Sequence, residues 1–401
     1  MKKRVLIFLC ILLTISLAGC SNKLVSNIDI SNSSYEEILK AAKGSTVNFY
    51  GYGGDEVMNK WFDTEVIPQM KEKYDIKVKR IGMDIENILN QLLSEKQVNN
   101  SKGVIDVVWI NGENFKTAKD NDLLFGPFVE KLPNYKNYVD IKSEGVNIDF
   151  GTNVDGMEAP WGKAQFAVIK NSSNINEAIT NTENLKEAIK KYPGKFTYPA
   201  LPDFTGSAFV RNVIYDIVGY DNVKNLPEDE EKVKEAIKPA IDYLNEIKPY
   251  LWNKGKTYPQ TASQLDNMYS DNEVYFDMTY SPNGVMSRVN SGEFSKDTEI
   301  IEFDKGNISN THFLAIPKSS QNHAGAMVLI DYLMSIESQS SKSNIENWGD
   351  TTVLDIDKIN DKEKSKFSDS IIIEKSVPEL KAGLVPIIEK IWIEEVLESE
   401  K

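Results

Sequence analysis

The sequence is poor in cysteine and histidine, which removes several kinds of chemistry. Only two cysteines occur, Cys10 and Cys20, and both lie in the first twenty residues. The rest of the chain therefore has no disulfide, no free thiol and no cysteine metal site. Two histidines are present, but no Gly-x-Ser-x-Gly or His-Glu-x-x-His motif, so common hydrolase signatures are missing. The sequence does not exclude a hydrolase that uses a pair of carboxylates, although no pair stands out among the 60 acidic residues.

Long apolar runs are also missing after the first twenty residues. No later segment approaches the length of a membrane-spanning helix, so we expect the body of the protein to lie in water. The formal net charge is −14, and it becomes −17 without Lys2, Lys3 and Arg4. Such an acidic chain is a poor partner for nucleic acid or anionic lipid, but it is compatible with a cationic ligand.

The first twenty residues combine a basic start, an apolar run and small residues before a cysteine. Residues 1–4 carry the positive charges, residues 5–17 are mostly apolar, and Ala18 and Gly19 precede Cys20. This is the pattern of a secretory signal, and Leu-Ala-Gly-Cys resembles the lipobox of bacterial lipoproteins. We expect cleavage before Cys20, lipidation of its thiol and then a flexible tether. The alternative is an uncleaved anchor helix with an incidental cysteine.

Strand-like and helix-like segments alternate after the tether. Strand patterns over 46–50, 76–81 and 104–110 are separated by helical patterns over 56–74 and 85–96. This alternation predicts a parallel sheet with crossover helices, in which ligands bind beyond the carboxyl ends of the strands. The loops after the first and third strands are therefore candidate ligand contacts, and they contain Tyr52, Gly53, Gly54, Asn111, Glu113 and Asn114. Each loop could instead be a simple turn, because glycine supplies positive φ at little cost.

Two segments in the middle of the chain each have a ligand interpretation and a structural one. Trp161 could be a stacking platform on a cleft wall or a core aromatic. Phe204, Thr205, Gly206 and Ser207 begin an apolar helix. The amide groups at such a helix start could bind a polar or anionic group, or they could simply be capped.

Two further segments lie later in the chain. Asp277 and Tyr280 end a strand pattern and could receive an organic cation, although Asp277 could equally cap the following turn. His312 is more typical of a hydrogen-bonded structural residue than of a ligand contact. Trp348 and its neighbours are more typical of a segment on which the C-terminal helices pack than of a cleft wall.

Six segments together carry a family resemblance. They are VWINGENF at 108–115, LFGP at 124–127, PWG at 160–162, YPALPDFTG at 198–206, NTHFLAIP at 310–317 and GDTTVL at 349–354. With the lipobox, they resemble the extracellular solute-binding proteins of ABC importers, in particular a Ynj-type branch related to thiamine-, polyamine- and iron-binding proteins. The resemblance covers nearly the whole mature chain. It implies an α/β, two-lobed periplasmic-binding-protein-like fold of type II, with a ligand cleft between the lobes.

The resemblance also implies how the chain is divided and used, with lobe crossings near 166–169 and 312–316. We expect a signal peptide over 1–19, a lipidated Cys20 and tether over 20–44, a first lobe over 45–167 plus 313–335, a second lobe over 168–311, and C-terminal helices over 336–401 packed across the second lobe and the hinge. Such a receptor is a monomer on the outer face of the cell membrane, held by its lipid alone. It passes a small molecule to a permease driven by a separate ATPase, and it needs no cofactor.

The candidate residues favour a particular ligand class. Aromatic faces at Tyr52, Trp161, Phe204 and Tyr280, beside the carboxylates Glu113 and Asp277, suit an organic cation such as a thiamine-like, polyamine or quaternary-amine ligand. The iron-binding relatives use adjacent tyrosines, which are missing here, and we assign no metal site. An oxyanion at the helix start or a metal stays an alternative ligand. An exported hydrolase and a surface adhesin are alternatives of other classes.

Overall fold

The computed structural model describes residues 28–99, 102–367, 371 and 373–399. The predicted signal peptide and the lipidation site at Cys20 lie outside these residues. Within the described ranges, no helix has both the length and the apolar character needed to cross a membrane.

The strands form one large sheet and two small ones. In chain order they are β1 (Thr46–Gly51), β2 (Lys77–Gly82), β3 (Val107–Ile110), β4 (Ile148–Asp149), β5 (Thr152–Asn153), β6 (Glu158–Gln165), β7 (Ala167–Asn171), β8 (Phe276–Thr279), β9 (Thr298–Ile301), β10 (Asn307–Ala315) and β11 (Ser376–Pro378). The large sheet has the order β11-β10-β3-β1-β2, and β6 also pairs with β10. β1 is parallel to β2 and β3, as the alternating pattern predicts, whereas β10 is antiparallel to β3 and β6. β7 lies between β8 and β9 in another sheet, and β4 pairs with β5.

The α-helices connect and cover these strands. In chain order they are α1 (Tyr35–Ala42), α2 (Glu56–Trp61), α3 (Ile67–Tyr74), α4 (Ile85–Gln97), α5 (Gly112–Asp120), α6 (Pro133–Tyr138), α7 (Glu144–Asn147), α8 (Thr182–Lys191), α9 (Phe204–Ile217), α10 (Tyr220–Val223), α11 (Glu230–Ile247), α12 (Ala262–Ser270), α13 (Pro282–Ser291), α14 (His323–Leu333), α15 (Ile336–Ser343), α16 (Asp361–Lys364) and α17 (Val385–Trp392). A π-helical turn over Phe62–Val66 separates α2 from α3. Pro68 follows it in the first turn of α3, where a residue without an N–H does no harm.

Two large hydrophobic cores define the two lobes. The core of the first lobe contains Phe49 of β1 and Trp161 of β6, together with most of α14. The core of the second lobe contains Val168 of β7, Phe276 of β8 and Ile214 of α9. A smaller cluster between β3, α4 and α5 adds to the first lobe. Each lobe therefore buries its own apolar surface, as the predicted two-lobed architecture requires.

In the described residues the chain passes between the lobes three times. After β6, the chain turns at Phe166 into β7 of the second lobe. β10 returns it, since Ile308 lies in the second core and Leu314 in the first. β11 then pairs with β10, and the chain rejoins the second core at Leu380. The return crossing thus begins before residue 312, which is earlier than the predicted position near 312–316.

The segment predicted to end the tether is folded. Ser34 caps α1 in a capping box with Glu37, and Ile38 and Ala42 are fully buried in the first core. The prediction that the tether extends to residue 44 is therefore wrong for α1, because its apolar face packs on the first lobe.

The C-terminal region is divided between the lobes rather than packed across one of them. Trp348 and Val353 are buried in the first core, whereas Ile388 and Trp392 of α17 are buried in the second. The predicted placement of residues 336–401 over the second lobe and hinge is therefore wrong for its first part. Helical periodicity shows which face is apolar, but it does not show which core receives that face.

Candidate functional site

A cavity of about 540 Å³ opens between the lobes where β1 ends. It is lined by Tyr52, Gly53, Gly54, Gly82, Met83, Asp84 and Asn87 of the first lobe and by Thr261 and Ser263 of the second. The hydroxyl oxygens of Tyr52 and Ser263 are hydrogen bonded across the lobes at 3.0 Å. The volume falls within the range of small-molecule sites. The structure thus brings the predicted loop after β1 to a space between the lobes.

The glycines of this loop have a packing reason of their own. A Cβ on Gly53 would lie 2.9 Å from the Cα of Gly82, so two backbones approach here too closely for a side chain. A Cβ on Gly54 would collide with the hydroxyl of Tyr52 and would lie 2.9 Å from Oγ of Ser263. Close packing accounts for both residues, and a ligand contact through them stays a prediction.

Carboxylates surround the Tyr52 end of the cleft. Partial burial raises the pKa of Tyr52, and the charges of Asp203, Asp266 and Asp55 raise it further, against the hydrogen bond with Ser263. Two of these carboxylates come from the second lobe and one from the first, so negative charge faces Tyr52 from both sides. In the described part of the chain, no three His, Cys, Asp or Glu side chains gather so as to hold a metal ion.

Asp277 lies deeper than predicted. It is 1% exposed, its Oδ1 accepts the N–H of Met278 at 2.7 Å, and its side chain is hydrogen bonded to Asp266. Burial and the neighbouring Asp266 raise its pKa well above the ordinary value. Asp266 pairs with Nη1 of Arg288 at 2.6 Å. The prediction that Asp277 receives a ligand cation directly is therefore wrong, and Asp266 is the member of the pair that acts on Tyr52.

A buried ion pair occupies the inner part of the lobe boundary. Arg211, which is 1% exposed, donates from Nε to Oε2 of Glu379 at 2.9 Å and from Nη2 to Oε1 at 3.2 Å. Its Nη1 donates to Oγ of Ser207 at 2.6 Å, and the Ser207 hydroxyl donates to Oε1 of Glu389 at 2.7 Å. The hydroxyl of Tyr280 donates to Oε1 of Glu379 at 2.9 Å. The predicted residues Ser207 and Tyr280 are thus engaged in one internal network.

The start of α9 uses its amide donors within the protein. Oδ1 of Asp203 accepts the N–H groups of Thr205 at 2.9 Å and Gly206 at 3.0 Å, and its backbone oxygen accepts the N–H of Ser207 at 2.8 Å. The prediction of an anion contact at these amides is wrong, because the cap already fills them. Phe204 is half-buried, with its ring centroid 5.0 Å from that of Tyr280.

The loop after β3 places one carboxyl group at the lobe boundary. Asn111 precedes α5, and the amide of Gly112, at φ 63°, donates to Asp149. Asn114 donates from Nδ2 to Oε1 of Glu113 at 3.0 Å. Oε2 of Glu113 is enclosed and has no hydrogen-bond partner among the described atoms. Burial raises the pKa of Glu113 to about 7.

Trp161 belongs to the core of the first lobe. It is 0% exposed, and its ring lies 5.8 Å from Phe49, 5.1 Å from Trp109 and 5.2 Å from Trp348, measured between centroids. Its carbonyl oxygen accepts a hydrogen bond from Gln339 at 2.8 Å. The prediction of a stacking platform for ligand is therefore wrong, and the core alternative describes this residue.

His312 has the structural role that its position predicts. Its Nε2 lies 3.0 Å from Oδ2 of Asp350, which also pairs with the fully buried Lys342. The three side chains form a buried polar cluster in the first lobe, beside the strand that crosses between the lobes.

Several residues at the lobe boundary escaped sequence reasoning. Arg211 had a readable signal, since it is the one basic residue inside the largely apolar run that forms α9. Asp266, Glu379, Glu389 and Ser263 had none, because they reach the boundary only through tertiary packing.

Two sequence comparisons cover most of the chain. Residues 65–354 match the family model described as bacterial extracellular solute-binding protein. Protein YnjB of Escherichia coli (strain K12) is 31% identical over 365 residues, which make up 90% of this chain and 93% of that protein.

Solved structures share the fold at low identity. A putative spermidine/putrescine ABC transporter protein from Listeria monocytogenes has a TM-score of 0.63 at 16% identity, covering 87% of this chain and 98% of that one. The apo ferric ion-binding protein A of Pasteurella haemolytica has a TM-score of 0.60 at 14% identity, covering 88% and 98%. These matches confirm the predicted fold, and the family model confirms the predicted role in binding rather than catalysis. The chain belongs to the family of bacterial extracellular solute-binding proteins.

Proposed function

We propose that the protein captures a small organic cation outside the cell and passes it to an ABC import permease, held at the membrane by a lipid on Cys20. One observation carries the choice of ligand: the lobe boundary is negatively charged, and its arginines are already paired. Arg211 pairs with Glu379 and Arg288 with Asp266. Asp84 lines the cavity, and the charges of Asp55, Asp203 and Asp266 act on Tyr52 at its edge. Glu113 and Glu389, which act on each other, add negative charge elsewhere at the lobe boundary. A cation entering this cleft relieves repulsion, whereas an anion adds to it.

Aromatic rings favour an organic cation over a bare ion. Tyr52 is 42% exposed at the cavity, and Phe204 is half-buried between the rings of Phe150, at 6.3 Å, and Tyr280, at 5.0 Å. The negative face of an aromatic ring attracts alkylammonium and heteroaromatic cations. Because Trp161 lies in the core, the aromatic set that we propose has Phe150 in its place, beside Tyr52, Phe204 and Tyr280.

The alternative ligands have less support. An oxyanion loses its predicted donors, because Asp203 caps the start of α9. The names of the two structural neighbours refer to spermidine/putrescine and to ferric ion, and likeness at such identity does not choose between them. The charge and the aromatic rings favour the organic class.

A thermal-shift screen tests the choice of ligand. Residues 22–401 are melted with choline, thiamine, putrescine, ferric citrate or phosphate. A ligand present at 100 times its Kd stabilises the folded protein by about 2.7 kcal/mol, which is a rise of several degrees in Tm. We expect one of the organic cations to produce such a rise.

The matched control for choline is 3,3-dimethylbutan-1-ol, which has nearly the same shape without the charge. It should leave Tm unchanged. If only ferric citrate or phosphate raises Tm, or if the neutral alcohol stabilises as well as choline, the proposal of an organic cation is wrong.

A further inference from the structure

Glu113 differs from the other enclosed carboxyl groups at the lobe boundary. Its Oε1 accepts a hydrogen bond from Asn114, but its Oε2 is enclosed without a partner in the described structure. Removing a carboxylate oxygen from water without a hydrogen bond costs several kcal/mol. Enclosure therefore makes the Glu113 carboxyl harder to ionise than an exposed one.

Among the described residues, no neighbouring cation is free to compensate the negative charge that Glu113 carries when it is ionised. Arg211 acts on Glu113 but is held by Glu379 and Ser207. The acidic groups that act on it are Glu379, Glu389 and Asp149, and Glu389 in turn faces Glu86 of α4. On its own helix, Lys116 pairs with Asp120 and Lys119 with Asp155, while Lys381 of the adjoining segment is exposed.

An aromatic ring packs on Gly112, the residue before Glu113. Phe150 packs on Gly112, since a Cβ there would lie 3.2 Å from its ring, and its ring is 6.3 Å from that of Phe204. An unpaired carboxyl oxygen and aromatic rings in the same part of the lobe boundary have the chemistry that recognises an alkylammonium or thiazolium-like group.

Building on the proposed function, we propose that Glu113 is the carboxylate that neutralises the ligand's positive charge, and that capture of the ligand expels a proton from Glu113. The carboxyl O–H breaks, the proton passes to solvent, and the carboxylate pairs with the cation. Because burial raises the pKa of Glu113 to about 7, about half of the free protein holds this proton at neutral pH. Ligand affinity should therefore fall as the medium becomes acidic.

The protonation of Glu113 in the free protein can be tested without any ligand. The pKa of Glu113 is raised in the folded state, from 4.5 to about 7, so its proton stabilises the fold at low pH and this contribution is lost as pH rises between those values. Glu113→Gln keeps the shape but cannot ionise. We expect its Tm to exceed that of the wild type by several degrees at pH 8 and to match it at pH 5.

The matched control is Glu130→Gln, which removes the same charge from an exposed position of the first lobe. Its Tm should follow the wild type at both pH values. If the gap between Glu113→Gln and the wild type is the same at pH 5 and pH 8, Glu113 does not hold the proton and the inference is wrong.

Calorimetric titration tests the ligand half of the inference. Choline, thiamine and putrescine are titrated at pH 6, 7 and 8, in two buffers of different ionisation heat. For a group with a free pKa near 7 that must ionise, Kd should be about tenfold lower at pH 8 than at pH 6, with about half a proton released at pH 7. Glu113→Gln should bind more weakly and without this pH dependence.

The outcomes separate the two proposals. If a cation binds the wild type and Glu113→Gln with equal affinity and equal pH dependence, the role of Glu113 is wrong and the proposed function stands. If none of the three cations binds the wild type, both are wrong.

Discussion

Glu379 and Glu113 lie on opposite sides of the lobe boundary. Glu379 is buried and Glu113 has an enclosed carboxyl oxygen, but their partners differ. Glu379 accepts hydrogen bonds from Arg211, Tyr280 and Asn310. Glu113 accepts one from Asn114 and keeps an empty oxygen within the described structure. Burial alone therefore does not show whether a carboxyl group has an oxygen left without a partner. A fully paired group holds the fold together, and an unpaired one has capacity left for a ligand.

The largest effect on stability should come from breaking the ion pair between Arg211 and Glu379. Arg211→Met leaves Glu379 buried without its cation, so we expect a loss of about 3–5 kcal/mol in the free energy of unfolding, measured with urea. The double variant Arg211→Met/Glu379→Gln should recover much of that loss, since no charge remains unpaired. A cost below about 1 kcal/mol for the single variant would show that the pair is not structural.

A change of intermediate size and opposite sign in the free energy of unfolding should come from replacing Glu158, another carboxyl group without partners. Glu158 on β6 is 1% exposed, both its oxygens are without partners among the described residues, and burial raises its pKa well above the ordinary value. Its proton stabilises the fold at low pH, and that stabilisation is lost as pH rises. We therefore expect Glu158→Met to gain about 1–3 kcal/mol at pH 8 and less at pH 5, by urea unfolding. A loss of stability at pH 8 would show that Glu158 has a partner.

The smallest effect should come from the contact at the mouth of the cleft. Ser263→Ala and Tyr52→Phe each remove the hydroxyl pair between the lobes, which contributes about 0.5–1.5 kcal/mol to the closed arrangement. Each variant should increase the radius of gyration in small-angle scattering while leaving Tm nearly unchanged. The double variant should add nothing to Ser263→Ala, because that change already removes the contact with Tyr52 as well as the longer one, at 3.4 Å, with the carbonyl oxygen of Gly54. Additive effects would contradict a direct contact.

The sequence predicts most of the fold because the relevant signals are local. Alternating strand and helix patterns predict the parallel arrangement of β1, β2 and β3, which the structure confirms. The capping box of Ser34 and Glu37 could also have predicted α1, which the tether prediction missed.

The site is less predictable because its charges meet through tertiary packing. Arg211 and Glu379 are 168 residues apart in the chain, and no local pattern joins them. The motif around Trp161 is equally compatible with a wall and with a core. Only the pairing of β6 with β10, and the aromatic rings packed around Trp161, decide between the two.

The crossing strands limit how the lobes can move. Ser309 of β10 pairs with Gln165 of β6 on one side and with Pro378 of β11 on the other, so the passage between the lobes is a ribbon of three bonded strands. Such a ribbon flexes across its width but resists sliding, since sliding would break its ladder. We therefore expect the lobes to open mainly as a hinge about this ribbon. A hinge motion of this kind would return the hydroxyl groups of Tyr52 and Ser263 to hydrogen-bonding distance at each closure.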